Sequence, residues 1–155
     1  MIGLMQRVTS ARVEVGGETV ARIGPGLLVL IGVERKDGEA QAARLVQRLL
    51  DYRVFADDAG RMNRSLRDNG GELLLVPQFT LVADTAKGLR PGLSRAAPPD
   101  QGRCLFATLC RKAKEQYSRV ACGVFGADMQ VSLTNDGPVT FWLETRSEER
   151  PIRDR

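Results

Sequence analysis

Short apolar runs separated by turn residues fill the first third of the chain. Ile2 to Ser10, Arg12 to Val15, Glu18 to Ile23 and Leu27 to Val33 each read as a strand, with Gly16-Gly17 and Gly24-Pro25-Gly26 marking turns. The spacing predicts an antiparallel meander. Leu27-Leu28-Val29-Leu30-Ile31 is apolar at every position, so both faces must be covered and the strand belongs mid-sheet. Ala42, Leu45, Val46, Leu49 and Leu50 then recur at helical spacing behind Asp37, a residue able to cap a helix. A second helix begins near Pro99-Asp100, with Leu105, Phe106, Leu109 and Ala113 on its apolar face. Arg53-Val54-Phe55 and Leu73 to Val76 read as further strands. Two more, Met129 to Leu133 and Val139 to Leu143, are joined through Asn135-Asp136-Gly137-Pro138. The pattern is α/β: strand-rich, mixed but mainly antiparallel, with two main helices.

Asp84 to Pro98 has no apolar period and is rich in Gly and Pro, and a loop of that length in a compact domain is usually functional. The 155-residue length and 43% apolar content suit one domain over 1–145, followed by a charged, flexible tail over 146–155. No run approaches the roughly 20 apolar residues of a membrane span, and the N-terminus lacks the layout of a signal peptide. A cytoplasmic protein with no membrane partner is expected. Cys104, Cys110 and Cys122 are odd in number and fit no metal or redox spacing, so they read as reduced structural thiols.

Composition changes the picture most through histidine, of which there is none. Ser-His-Asp and Cys-His catalysis, His-ligated zinc and imidazole proton shuttles are excluded within the chain. No metal site and no cofactor are expected. The net charge of +4 is modest, but eight bases between Lys87 and Arg119 face only Asp100 and Glu115. Phosphate backbone is one natural partner for such a stretch, and a solvated helix face is the ordinary alternative.

Two segments are candidates for chemistry. Pro77 stops a strand and delivers Gln78, Phe79 and Thr80 to a sheet edge, where an amide, a ring and a hydroxyl can meet a ligand. A strand ending in a bulge would carry the same residues. Gly137-Pro138 lies between two strands and is a candidate cis peptide, which could turn consecutive carbonyls to one side; an ordinary hairpin turn is the alternative. The Asp57-Asp58 pair reads as a solvated turn.

Taken together, Gln78-Phe79-Thr80-Leu81, Gly123 to Met129 and Asn135-Asp136-Gly137-Pro138-Val139-Thr140 resemble, in content and order, the signature segments of the D-aminoacyl-tRNA deacylase family. The likeness extends to Gln6-Arg7-Val8, Ile23 to Leu27, Met62-Asn63 and Arg90-Pro91, and fades beyond about Thr145. It implies a fold of β/β/α-type layers and a homodimer with active sites at the interface, each completed by the partner's Gly–cis-Pro motif. The carbonyls of Gly137 and Pro138 would leave no room for an L side chain, so that D-residues and glycine, including glycine mischarged on tRNA(Ala), are accepted. The resemblance makes tRNA, and not DNA, the nucleic acid partner. Many family members have serine where this chain has Pro77, so a hydroxyl at that position is not essential here.

The resemblance implies a metal-independent ester hydrolase in chiral proofreading of translation. Gln78, Phe79 and Thr80 are its candidate catalytic segment, and Gly137, Pro138, Phe125, Met129 and Arg7 its candidate substrate-binding residues. Thr80 is a weak nucleophile with no histidine to take its proton, so the amides around Phe79 and Thr80 are better placed to hold an oxyanion while the tRNA 2′-hydroxyl helps activate water. Phe79 and Phe125 are candidates for packing on the terminal adenosine, and Arg7 for bracing the Gly137-Pro138 loop. The rival readings are a non-catalytic RNA-binding module and a hydrolase of another aminoacyl ester.

Overall fold

The computed structural model describes residues 1–146, so the tail expected over 146–155 lies, apart from Arg146, outside the described residues. Its strands are β1 (Ile2–Val15), β2 (Glu18–Ile23), β3 (Gly26–Gly32), β4 (Phe55–Ala56), β5 (Met62–Arg64), β6 (Glu72–Pro77), β7 (Val120–Cys122) and β8 (Gln130–Glu144). Its helices are α1 (Glu39–Asp51), the single turn α2 (Leu66–Asn69) and α3 (Pro99–Gln116). None of the helices is long and apolar enough to cross a membrane.

β1 is the hinge of the architecture. Its first half pairs antiparallel with β3, from Ile2 opposite Gly32 to Val8 opposite Gly26, and its second half pairs antiparallel with β2, from Ala11 opposite Ile23. β6 and β7 extend the sheet beyond β3 in parallel. The strand therefore changes partners near Val8 to Ala11, and the sheet folds over itself.

Alternation along β3 shows the resulting layers. Leu27, Val29 and Ile31 join Leu73 and Leu75 of β6 in one core with the apolar faces of α1 and α3. Leu28 joins Leu74 and Val76 in a second core against Val8, Ala11, Val13, Ala21 and Ile23. These are the β/β/α layers, and they explain the unbroken apolar run: β3 is the middle layer, covered by helices on one face and strands on the other.

Three local expectations change. Ile2–Ser10 and Arg12–Val15 are one strand, and the two C-terminal runs are also one strand, β8, paired with β1 along almost its whole length. Asn135 to Pro138 is thus not a hairpin turn. Asp37 does not cap α1; Gly38 does, with Gln41 Oε1 accepting from its amide at 2.8 Å. The Asp37 carboxylate instead accepts from the Glu34 amide at 2.7 Å and the Met1 ammonium at 2.6 Å.

Candidate active site

β6 ends at Pro77, and the chain turns at once into a single 3₁₀ turn over Phe79–Val82. The Gln78 amide donates to Ile31 O at 2.7 Å, which anchors the turn to the end of β3. The amides of Phe79 and Thr80 open the turn and have no acceptor within it, because a 3₁₀ turn satisfies only the donors three residues further on. Gln78 Nε2 donates to Thr80 Oγ1, so the hydroxyl is held by its neighbour. Phe79 remains 57% exposed, which is unusual for so large a ring and removes it from the core.

Beside this turn lies a cavity of about 640 Å³. Pro77, Gln78 and Phe79 form one wall, and Leu93 with Ala96 to Pro99, from the long loop and the start of α3, form another. Phe125 to Ala127 and Met129 close the third side. Phe125 packs closely on α3 at Gly102, where an added Cβ would sit 3.1 Å from the ring. Phe106 packs against the same ring with centroids 6.4 Å apart, and the Arg103 guanidinium lies 5.0 Å from its centroid. Phe125 is therefore partly a core residue and partly a cavity wall.

Gly137 and Pro138 form a second cluster. β1 and β8 pair at Gln6 opposite Thr140 and at Val8 opposite Asn135, so Asp136 to Val139 bulge out opposite Arg7 alone. The Gly137-Pro138 bond is cis. Gly137 has φ +131°, and an added Cβ would lie 2.7 Å from Val139 Cγ2 and 3.2 Å from Arg7 Nη2, so only glycine fits. Asn135 ties the base of the bulge, accepting from the Val139 amide and donating to Thr140 Oγ1, both at 2.9 Å. Arg7 holds its side: Nε donates to Asp136 O at 3.2 Å and Nη1 to Val54 O at 2.7 Å.

Gln78, Phe79, Phe125 and Met129 thus share one cavity, with Thr80 beside it on the 3₁₀ turn, whereas Arg7, Gly137 and Pro138 are elsewhere. Three strand spacings and four or five residues of strand separate the two clusters, about 20 Å within one chain. Arg35 and Arg103 also line the cavity. Arg103 is legible in sequence only as one base among eight, and nothing around Arg35 marks it. Neither Asp57 nor Asp58 lines the cavity. Asp57 accepts from the Ala59 and Arg61 amides and from Asn63 Nδ2, all at 2.9 Å, and the Asn63 bond chiefly holds its carboxyl below the usual range.

A model of the D-Tyr-tRNA(Tyr) deacylase family matches residues 4–144, which includes both clusters. The chain belongs to that family. A D-aminoacyl-tRNA deacylase of Nitrosococcus oceani is 63% identical over 144 residues, covering 93% of each chain. One from Stutzerimonas stutzeri is 61% identical over 145 residues, covering 94% of this chain and 100% of the relative. A solved structure of a c-Myc DNA unwinding element binding protein superposes with a TM-score of 0.90 at 37% identity, covering 95% and 100%.

For a member of the D-Tyr-tRNA(Tyr) deacylase family, the chemistry available at this cavity is narrow. Its lining is apolar and aromatic apart from Gln78 and two arginines, and among the described residues no carboxylate, thiol, lysine amine or hydroxyl lines it. None of the lining side chains described is a general base.

Proposed function

We propose that this protein hydrolyses the ester linking a D-amino acid to the 3′-terminal adenosine of tRNA, releasing free tRNA, in cytoplasmic proofreading of translation. The observation that carries the proposal is the cavity at the exit of β6. It offers the Phe79 amide at its wall with that of Thr80 on the adjoining 3₁₀ turn, two arginines for a phosphate or carbonyl, exposed aromatic surface for a base, and among the described residues no carboxylate, thiol or lysine on its walls. An ester needs little more than a polarised carbonyl and a held oxyanion, and the neighbouring 2′-hydroxyl of the RNA supplies the polar group that helps activate water. Gln78 holds the Thr80 hydroxyl beside the cavity, where it is a positioning group and not the attacking one.

Chirality enters through Gly137-Pro138. About 20 Å is too far for these residues to reach the cavity of their own chain, which favours a homodimer in which each copy presents the bulge to the other's cavity. β8 supports such a pairing: among the described residues it pairs only with β1, and Trp142, 51% exposed, stands out with Phe141 and Leu133 along it. Carbonyls facing the α-carbon would then exclude an L side chain by contact, while glycine, including glycine on tRNA(Ala), still enters.

Hydrolysis of matched D- and L-charged tRNA(Tyr) tests the proposal. D-Tyr-tRNA is expected to be cleaved and L-Tyr-tRNA spared; a protein that shifts tRNA on a gel but leaves both esters intact is a binding module. Thr80→Ala is expected to keep most of the activity, because the amide at position 80 survives. Loss of turnover with folding and tRNA binding intact would overturn the backbone account.

A further inference from the structure

We infer that a second groove, sharing a wall with the candidate active site, holds the nucleotide next to the terminal adenosine of the tRNA acceptor strand. The inference rests on the reading of this chain as acting on aminoacyl-tRNA. The groove, about 680 Å³, runs between α3 and the segment after β7. Arg103 and Phe125 line both it and the active-site cavity, so the two spaces are consecutive along one surface. A strand whose last nucleotide enters one has its preceding nucleotide at the other.

The groove has the chemistry of a nucleotide site. Phe106, Ala107 and Val124 give it an apolar floor, with Val124 43% exposed and available to a base. Lys114 and Arg111 stand on its far side. Arg111 is neutralised by Glu115 at 2.8 Å, one turn on, whereas no carboxylate pairs with Lys114 among the described residues. Among the described residues Arg103 is engaged only with Phe125, through its ring at 5.0 Å and its carbonyl at 3.5 Å. Glu115 also lines the groove but is held by Arg111, so Arg103 and Lys114, neither paired with a carboxylate among the described residues, bracket an apolar floor, an arrangement that suits a phosphate and a base better than an acidic peptide, which would leave the floor unused. Lys112, two residues from Lys114, does not line the groove, and general solvation of a basic helix would not distinguish the two.

The test uses two substrates, D-Tyr-tRNA(Tyr) and 3′-O-D-tyrosyl-adenosine, which carries no phosphate. Lys114→Glu is expected to raise KM for the tRNA by roughly fivefold with kcat unchanged, and to flatten the salt dependence of log KM by about 0.7. The same variant should cleave the adenosine ester as the wild type does, and Lys112→Glu should change KM less than about twofold. An equal rise for Lys112→Glu would mean a diffuse field with no subsite. Equal losses on both substrates would mean a structural defect, and an unchanged Lys114→Glu would remove the groove from the RNA path; each overturns the inference. A wild type inactive on both substrates would instead overturn the activity. The groove would then be read from binding of an uncharged acceptor-end oligonucleotide, where weakening by Lys114→Glu but not by Lys112→Glu is again required.

Discussion

Arg7→Ala separates the two clusters experimentally. In the folded protein the Arg7 side chain is only 16% exposed, donates to Val54 O at 2.7 Å and to Asp136 O at 3.2 Å, and pairs with the Asp136 carboxylate at 3.3 Å. The ion pair contributes little, because Asp136 is half exposed and water screens it to about 0–1 kcal/mol. The bond to Val54 matters more: a hydrogen bond from a charged donor contributes about 1.5–3 kcal/mol, and its loss leaves a carbonyl without that donor. A destabilisation of about 2–3 kcal/mol is therefore expected, measured by urea unfolding with an unchanged m-value. Arg7→Lys should recover only part of it, since one ammonium cannot reach Val54 and Asp136 together in the arginine's fork geometry. The functional consequence is distinct from the stability loss. With the bulge released while the β6 exit is untouched, cleavage of D-Tyr-tRNA should persist in part and discrimination against L-Tyr-tRNA should fall. An Arg7→Ala protein within about 0.5 kcal/mol of wild type, with the same D/L ratio, would refute both the bracing role and the assignment of chirality to the bulge.

Two further substitutions test the frame that carries the site. A Cβ on Gly26 would lie 1.9 Å from Glu72 O across the parallel β3–β6 pair, so Gly26→Ala should cost about 3 kcal/mol or more, whereas Gly24→Ala, whose nearest neighbour is a side-chain oxygen at 3.5 Å, should be far milder; equal melting temperatures for the two would contradict that packing. The Asp68 carboxylate accepts from the Ser65 amide at 2.9 Å and from its hydroxyl at 3.0 Å, and these bonds hold its pKa below the ordinary 3.8. A depressed folded-state pKa gives stability that is present above pH 3.8 and lost as pH falls through the folded value, so the gap between wild type and Asp68→Asn in urea unfolding should persist at neutral pH and close as pH falls below 3.8. A gap that stays constant with pH would remove the carboxylate from the cap.

Helical stripes and the buried strand were legible because each is a local pattern: Ala42 to Leu50 and Leu105 to Ala113 lie on the faces their spacing indicates, and β3 is covered on both sides as its unbroken apolar run requires. The bulge was not. Asn135-Asp136-Gly137-Pro138 has the same turn propensity whether the chain reverses there or continues after an excursion. Only the partner decides, and the partner is β1, whose 14 residues offer β8 a ladder on both sides of Arg7. The same non-locality governs the site. Gln78, Phe79, Phe125 and Met129 were legible as candidates, but their convergence on one cavity depends on parallel pairing of β6 with β7, with Leu75 opposite Cys122. Composition alone removes histidine; only the assembled lining shows that carboxylates, thiols and lysines are missing as well. The two exclusions together are stronger than either. The cavity could have recruited Asp84, Asp100 or Glu34 from neighbouring segments, and among the described residues it has none of them on its walls.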